Sequence, residues 1–281
     1  MEYENNDCYH FKKLTYINGL LDDAVDATYI IHLEGNGRYE DILKQLELYQ
    51  PTKIVYIVFN KGYTKCQKDE NIILPAQDLV DAFLQIFKDA KYKNYDNILI
   101  LEDDFIFSEK IKDVATRGNI CTFLNNHKNG DLQYLLGCIP LVQVPCTLDC
   151  KHYRIVASLA THAVIYTKSN REKILQVDQI NIVDWDKYSN FNNERVLYYQ
   201  PLCYQLFSET ENSKQWGDNL FLKLFFIIVK GFIPLFRLDT QVEPGYSICY
   251  FLSKIILFFI LFIIYKILKN VFIKTKKIKK K

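Results

Sequence analysis

The sequence predicts an α/β fold built on parallel strands, with an apolar helix at the C-terminal end. Three short apolar segments, at 29–33, 54–59 and 97–101, have the composition of buried strands. Segments with helical spacing lie between them, and alternation at this pitch is typical of parallel βαβ units. The length of 281 residues and the hydrophobic content of 49% suit one large globular domain with an appendage.

The two segments between the strands, 38–49 and 77–88, each place their apolar residues on one helical face. The members of these faces are Ile42, Leu43, Leu46 and Tyr49 in the first segment, and Leu79, Val80, Phe83 and Phe87 in the second. Both segments are therefore predicted helices that cover the sheet.

Farther along the chain the pattern changes and the predicted strands are no longer separated by long helices. The predicted elements are strands at 132–136 and 141–144, a hairpin-like pair of strands at 155–159 and 162–167, and a helix at 169–177. The polar and aromatic stretch 184–216 fits either the lining of a sugar or nucleotide pocket or an irregular loop.

Three adjacent carboxylates, Glu102, Asp103 and Asp104, follow directly after the third predicted strand. A buried strand delivers them to the carboxyl edge of the sheet, where open α/β folds bind ligands. Carboxylates so close together repel one another unless a cation lies among them. Mn²⁺ and Mg²⁺ prefer oxygen ligands and take one or two carboxylates together with substrate phosphates. The motif therefore indicates a metal that holds a nucleotide diphosphate; the alternative is a strand end with solvated acids.

Charge is distributed unevenly along the chain. The formal net charge is +2, but residues 266–281 contain eight lysines and no acid, so the preceding 265 residues carry −6. An acidic main domain argues against a nucleic-acid surface, and we expect no nucleic-acid partner.

The eight cysteines are expected to be free thiols. The N-terminal residues are polar and acidic and lack the pattern of a signal peptide. We therefore expect the domain to lie in a reducing compartment, where disulfides are rare. Cys146, Cys150 and His152 are close enough in sequence to form a zinc site. This alternative is weaker, because no fourth ligand with suitable spacing accompanies them.

Residues 246–268 are mostly apolar and long enough, at about 34 Å as a helix, to cross a bilayer. Lys254 interrupts the segment, so surface attachment and a soluble core helix remain alternatives to a span. The lysine-rich tail is expected to contact anionic lipid. We expect single-pass or monotopic attachment with the catalytic domain in the cytosol. A break at Pro244 and Gly245 predicts that deletion of residues 246–281 releases a soluble domain.

Several segments resemble, in order, elements of family 25 glycosyltransferases. They read YIIHLEGNGRYEDILKQLE, ILILEDDFIF, SLATHAVIYTKSNREKIL, and IVDWDKY followed by YYQPLCYQ. The second is similar to that family's variant of the DxD metal motif. The resemblance covers about residues 28–216 and implies a GT-A fold, a Rossmann-like mixed sheet flanked by helices, with a nucleotide-sugar donor and usually Mn²⁺ or Mg²⁺. His32 departs from the family pattern, in which an Asn is common at this position.

The resemblance and the chemistry together imply transfer of a hexose from a nucleotide sugar, a UDP-sugar first, to a hydroxyl of a glycan or protein. We expect Asp104 and Glu102 to bind the metal, and Arg38, Glu102 and Asp103 to bind the donor. The expected catalytic base is one of Asp184, Asp186 and Glu211.

Three further side chains have two expected roles each. His162 is either a metal ligand or a structural histidine, and Trp185 and Trp216 are either stacking platforms or core residues.

Two other functions fit the same residues. One is a catalytically inactive, membrane-anchored binding or scaffold protein on a glycosyltransferase-like fold. The other is a metal-dependent phosphohydrolase, which histidines clustered with the carboxylates would support, whereas the five histidines of this chain are scattered. The predicted organisation is an N-terminal extension at 1–27, a catalytic domain at 28–217, an amphipathic or closing segment at 218–245, a membrane helix at 246–268 and a lysine-rich tail at 269–281.

Overall fold

The computed structural model describes residues 7–206, 231 and 233–278, with side chains described as far as residue 269. The strands in this part are β1 Tyr9–Thr15, β2 Ala27–Leu33, β3 Ile54–Asn60, β4 Asn97–Glu102, β5 Phe105–Phe107, β6 Leu132–Pro145, β7 His152–Thr167, β8 Glu194–Tyr198 and β9 Cys203–Gln205. The α-helices whose full bounds lie within the described residues are α1 Tyr39–Leu48, α2 Pro75–Tyr92, α3 Val114–Asn126, α4 Lys168–Ile174, α5 Trp185–Asn192 and α6 Gly245–Ile278.

The main sheet is mixed and contains seven strands in the order β1-β3-β2-β4-β7-β6-β8. Strand β2 pairs in parallel with both β3 and β4, which confirms the predicted βαβ units. Strands β1 and β7 add antiparallel pairs on either side, and β5 and β9 form a separate two-stranded sheet. The predicted α/β class is therefore confirmed as a mixed α/β fold with an apolar C-terminal helix.

Two apolar layers cover the sheet. On one face, α2 contributes Phe83 and Phe87 to a cluster that also contains Trp185 of α5. On the other face, α1 contributes Ile42 and Leu46. The face predicted for α1 is thus the face that this helix buries, whereas α2 is buried more widely than the predicted face, with every residue from Val80 to Phe87 buried.

The hairpin-like pair predicted at 155–159 and 162–167 is wrong. These residues form one continuous strand, β7, which pairs along its length with β6. The two predicted strands at 132–136 and 141–144 likewise merge into β6. Breaks in the apolar pattern reflect register shifts in the β6–β7 ladder and a left-handed residue at Ala160, with φ of +51°. Bulges of this kind bend a strand without ending it.

Residues 1–27, predicted to be an extension, contain a strand of the main sheet. Strand β1 pairs antiparallel with β3 from Tyr9 opposite Asn60 to Thr15 opposite Ile54. Only Tyr9 of its seven side chains is buried, as expected for an edge strand. A strand that exposes most of its side chains lacks the apolar pattern from which strands are predicted.

Cys8 and Cys66 form a disulfide bond, so the expectation of eight free thiols is wrong. The other six cysteines, all within the described residues, carry no disulfide. The bond links the residue before β1 to the segment after β3. Because disulfides persist mainly in oxidising compartments, this pair argues against the expected cytosolic orientation.

Helix α6 consists of a packed beginning and an exposed continuation. Tyr246, Tyr250 and Ser253 are buried against the domain, and Gln143 of β6 donates to the carbonyl oxygen of Tyr250 at 2.8 Å and to Ser253 Oγ at 2.6 Å. Almost every described apolar side chain from Ile256 onward is exposed. By length and composition the segment Gly245–Lys269 is able to cross a membrane. The expected uncoupling at Pro244 and Gly245 is wrong, because the helix starts inside the fold.

Candidate functional site

The acidic motif lies where β4 ends, at the carboxyl edge of the parallel strands β2, β3 and β4. Glu102 is the last residue of β4, and Asp103 and Asp104 form the turn into β5. This is the position that the sequence predicted for the motif. The three carboxylates nevertheless have different hydrogen-bond partners, and these partners indicate a different role for each carboxylate.

Asp103 accepts hydrogen bonds on both oxygens from the end of β2 and from the loop that follows it. Its Oδ2 accepts from the amide nitrogen of Leu33 at 3.2 Å and from Asn36 Nδ2 at 2.5 Å, and it lies 3.2 Å from His32 Nδ1. Its Oδ1 accepts from Arg38 Nη1 at 2.8 Å. Burial raises the pKa of Asp103, but these hydrogen bonds outweigh it and hold that pKa below its ordinary value. Asp103 therefore holds the loop in place, and its carboxylate oxygens have little capacity left to accept hydrogen bonds from a nucleotide sugar.

The glycines of this loop make the arrangement possible. Gly35 and Gly37 have φ of +85° and +80°, values that glycine adopts without steric strain. They flank Asn36, whose side chain reaches Asp103, and Gly37 precedes Arg38. Nothing in the sequence of this loop marks Asn36 as a partner of the acids.

Arg38 links two of the acids. Its Nη1 donates to Asp103 Oδ1 at 2.8 Å and to Asp104 Oδ2 at 3.0 Å. The side chain is 29% exposed. A guanidinium carries five donors, so Arg38 has donors left for a phosphate or another anionic ligand at the edge of the site.

Asp104 is only partly satisfied. Its Oδ2 accepts from Arg38 and from Gln205 Nε2 at 2.8 Å, whereas its Oδ1 is buried without a hydrogen-bond partner among the described residues. Burial raises the pKa of Asp104 although Arg38 opposes this effect. A buried carboxylate oxygen without a partner is unfavourable, and a ligand or cation that fills this position would satisfy it.

Glu102 lies between Asp104 and Asp186 electrostatically, because the charges of both act on it. Burial, followed by repulsion from Asp104 and Asp186, raises the pKa of Glu102 well above its ordinary value. Burial also raises the pKa of Asp186 to about 6. No hydrogen bond to the Glu102 carboxylate occurs within the described part of the chain. We call Glu102, Asp104 and Asp186 the acidic triad.

The two aspartates predicted as alternative bases lie in different environments. Asp184 caps α5, accepting from the amide nitrogen of Lys187 at 2.8 Å. Asp186 accepts from the amide nitrogen of Thr161 at 3.2 Å, just after the bend in β7. Of the two, Asp186 lies close enough to Glu102 to raise the pKa of that carboxyl. The third predicted base, Glu211, lies outside the described residues.

Gln205 is a site residue that sequence analysis did not single out. Strand β9 places it opposite Phe105 of β5, next to Asp104. Tyr246 Oη lies 3.0 Å from both the amide nitrogen and the carbonyl oxygen of Gln205. The first turn of α6 is thus connected to Asp104 through Gln205.

The remaining aromatic and histidine predictions resolve toward structural roles. His162 Nδ1 lies 2.8 Å from the carbonyl oxygen of Ala160, and its Nε2 lies 3.2 Å from that of Cys203. Trp185 is 3% exposed, stacks on Phe83 and donates to Tyr166 Oη at 3.0 Å; its role as a stacking platform is wrong. Trp216 lies outside the described residues.

The zinc alternative gains no support from the described residues. His152 is buried, 3.1 Å from Tyr134 Oη through Nδ1 and stacked on Phe123. Cys146 and Cys150 are exposed. In the described ranges no group of three or more His, Cys, Asp or Glu side chains is arranged to enclose a metal ion.

The sequence matches no protein-family model and no curated protein. The geometry of the acidic triad and its neighbours is therefore the basis for assigning a function.

Proposed function

We propose that the chain is a metal-dependent glycosyltransferase on a GT-A-like fold, which transfers a hexose from a nucleotide-diphosphate sugar to a hydroxyl. The observation that supports this most directly is the pair of carboxylates at the end of β4, Glu102 and Asp104, with an unpartnered oxygen on Asp104. The described residues hold no group of three His, Cys, Asp or Glu side chains that could enclose a metal ion, so the proposal requires phosphate oxygens and water as the remaining ligands. The resemblance of the motif to a DxD variant points to the same chemistry. A UDP-sugar is the first donor to test, and the acceptor is a glycan or protein hydroxyl.

Asp104 and Glu102 are the residues that fit Mn²⁺ or Mg²⁺. Both offer carboxylate oxygens, the ligand type that these cations prefer, and both have an oxygen without a protein partner in the described part of the chain. A cation at two carboxylates would complete its coordination with phosphate oxygens and water. When bound, the metal neutralises negative charge on the diphosphate leaving group.

Arg38 would bind the nucleotide sugar. Its guanidinium is anchored by Asp103 and Asp104 through Nη1, and its partial exposure leaves its other N–H groups available to a phosphate. Guanidinium groups match phosphate oxygens in geometry and charge. Asp103 then serves the donor indirectly, by fixing Arg38 and the loop after β2.

Asp186 is the base that we favour over Asp184, because it lies close enough to Glu102 to raise the pKa of that carboxyl, whereas Asp184 caps α5. With a pKa of about 6 it is mostly ionised near pH 7. In an inverting transfer the acceptor oxygen forms a bond to the anomeric carbon and its proton passes to Asp186. The bond from that carbon to the phosphate oxygen breaks, and its electron pair leaves on the nucleotide diphosphate.

We further propose that α6 anchors the protein in a membrane and that the lysine-rich tail contacts anionic lipid. The support is the apolar composition and exposure of α6 beyond Lys254. Transfer of that apolar surface out of water is favourable at about 25 cal/mol per Å². The full chain is therefore expected to sediment with membranes through a carbonate wash.

The catalytic proposal is tested by titrating UDP into the full chain in detergent, with and without Mn²⁺, and by following hydrolysis of a panel of UDP-sugars. We expect Mn²⁺-dependent UDP binding that the variant Asp104→Asn loses. The matched control is Asp41→Asn, an exposed carboxylate on α1 that pairs only with Lys44 in the described residues. Mn²⁺-dependent binding that survives in Asp104→Asn contradicts the metal assignment. Binding with no turnover on any donor favours an inactive binding or scaffold protein.

A further inference from the structure

The β6–β7 turn, residues 146–151, lies beside the point at which α6 leaves the domain. Lys254 Nζ donates to the carbonyl oxygen of Tyr199 at 2.7 Å and lies 4.7 Å from the centre of the Tyr153 ring. Ser253 is the last buried residue in the described part of α6. Lys254 therefore marks the boundary between the packed and the exposed parts of the helix.

The turn reaches the same place through Lys151 and Tyr153. The amide nitrogen of Tyr199, whose carbonyl oxygen accepts from Lys254, donates to the carbonyl oxygen of Lys151 at 2.8 Å, and Tyr153 is the second residue of β7. Leu148 precedes Lys151 by three residues, so their Cα atoms are at most about 11 Å apart. Leu148 is thus close to Lys254, the point on α6 after which the exposed apolar surface begins.

Leu148 is held in an exposed position by the structure of the turn. Its exposure equals that of a fully accessible side chain, at 107%. Thr147 Oγ1 donates to Asp149 Oδ1 at 2.7 Å, the amide nitrogen of Lys151 donates to the same oxygen at 3.1 Å, and Cys150 has φ of +53°. A single exposed leucine is ordinary on a protein surface. At the tip of a fixed turn next to a membrane-length helix, however, an exposed leucine is placed where it could contact lipid.

The surrounding residues have the chemistry of a membrane interface. Tyr153 and Tyr199 belong to the residue type enriched at headgroup level, and Lys254 can extend its ammonium toward headgroups while its stem lies on apolar surface. Lys151 adds a second cation. The charge of Asp149 is offset within the turn, by two hydrogen bonds and by Lys151 Nζ at 3.7 Å.

We propose that the turn 146–151 inserts Leu148 into the surface of the same lipid bilayer that α6 enters, so that the domain contacts the membrane at two points. This inference rests on the proposed attachment through α6. A second contact would restrict rotation of the domain about the helix. The eight-residue separation of Tyr246 from Lys254 corresponds to about 12 Å of helix, which would hold the acidic triad near the bilayer but clear of it.

The experiment places a tryptophan at the turn and measures its quenching by lipid. The full chains of Leu148→Trp and Ile17→Trp are reconstituted into phosphatidylcholine–phosphatidylserine vesicles with or without brominated acyl chains, and the wild-type signal is subtracted. Ile17 is the control because it is 87% exposed and lies in the connection between β1 and β2. Both replaced side chains are exposed, so the fold should tolerate both substitutions.

We expect brominated lipid to quench the added emission of Leu148→Trp, with a blue-shifted maximum, and to leave that of Ile17→Trp unchanged. No quenching of Leu148→Trp, or equal quenching in both variants, overturns the proposal. A carbonate wash of the same vesicles tests α6 separately. Protein that resists the wash without quenching at position 148 refutes the second contact and leaves the anchor intact; protein that is stripped while position 148 is quenched in unwashed vesicles retains the contact and refutes the span.

Discussion

Truncation of the C-terminal helix tests how far α6 belongs to the folded domain. We compare a chain that ends at Gly245 with one that ends at Lys254. Both lack the exposed apolar stretch that begins after Lys254. The longer chain keeps Tyr246, Tyr250 and Ser253, whereas the shorter one loses all three. Any difference between the chains therefore reports the first turns of α6 and not the membrane segment.

The expected difference is large. Tyr246 and Tyr250 are 0% and 2% exposed, and a buried aromatic side chain removes about 150–250 Å² from water. At about 25 cal/mol per Å² this corresponds to about 4–6 kcal/mol for each ring, an upper bound because the unfolded chain already buries some surface. Even half of the combined value is comparable to the total stability of a domain, about 5–15 kcal/mol. Gln143 would also lose its partners on α6.

We expect the chain that ends at Lys254 to remain soluble without detergent and to unfold cooperatively in urea, as followed by circular dichroism. The chain that ends at Gly245 should aggregate or unfold at a much lower urea concentration. Equal unfolding midpoints for the two chains would show that α6 is dispensable for the fold and refute the packing argument.

Three further predictions concern individual residues. Asp103→Ala should lower the free energy of unfolding in urea by about 2–4 kcal/mol, because it leaves the hydrogen-bond donors of the β2 loop unpaired. Glu102→Ala should leave the free energy of unfolding unchanged or raise it. A larger loss of stability in Glu102→Ala than in Asp103→Ala would contradict these roles. Burial lowers the pKa of His152 to about 4, so near pH 6.5 the unfolded chain binds a proton that the folded chain does not bind. The free energy of unfolding should therefore fall by up to about 3 kcal/mol from pH 7 to pH 4. The variant His152→Gln should flatten this pH dependence; an unchanged dependence would show that another group causes it. Alkylation at lysis should count six thiols, and replacing Cys8 and Cys66 by Ser should lower stability by about 2–4 kcal/mol; eight thiols in the wild type would contradict the bond.

The parts of the fold that the sequence predicted are those in which local pattern and tertiary position coincide. Strands β2, β3 and β4 are buried on both faces, so they read as continuous apolar runs. Helix α1 buries a single face and shows helical spacing. Helix α2 shows the same spacing but is buried on all sides from Val80 to Phe87, because its polar residues there are also covered. Strand β1 exposes most of its side chains and carries no such signal. Strands β6 and β7 bend through register shifts, which interrupt the pattern without interrupting the strand.

The site divides in the same way. Glu102 and Asp104 were predicted because an acidic run after a buried strand is visible in one segment. Asp186 was named through resemblance, and its approach to β4 depends on how α5 packs. Gln205 meets Asp104 from 101 residues away, through the pairing of β5 with β9. Neither residue type nor spacing in a single sequence encodes such a contact.

The contact from α6 to Asp104 yields a last prediction, for the variant Tyr246→Phe. The hydroxyl of Tyr246 holds the backbone of Gln205 from both sides, and Gln205 holds Asp104 Oδ2. Removing the hydroxyl keeps the buried ring but leaves two backbone groups of Gln205 without this partner, at about 1–3 kcal/mol of stability. If Gln205 orients Asp104, Mn²⁺-dependent affinity for UDP should fall as well, in titrations on chains that remain folded. Tyr250→Phe is the matched control, because its buried hydroxyl has no hydrogen-bond partner among the described residues, and it should leave UDP affinity unchanged. A loss of stability in Tyr246→Phe with wild-type affinity for UDP would confine Tyr246 to the fold and remove Gln205 from the site.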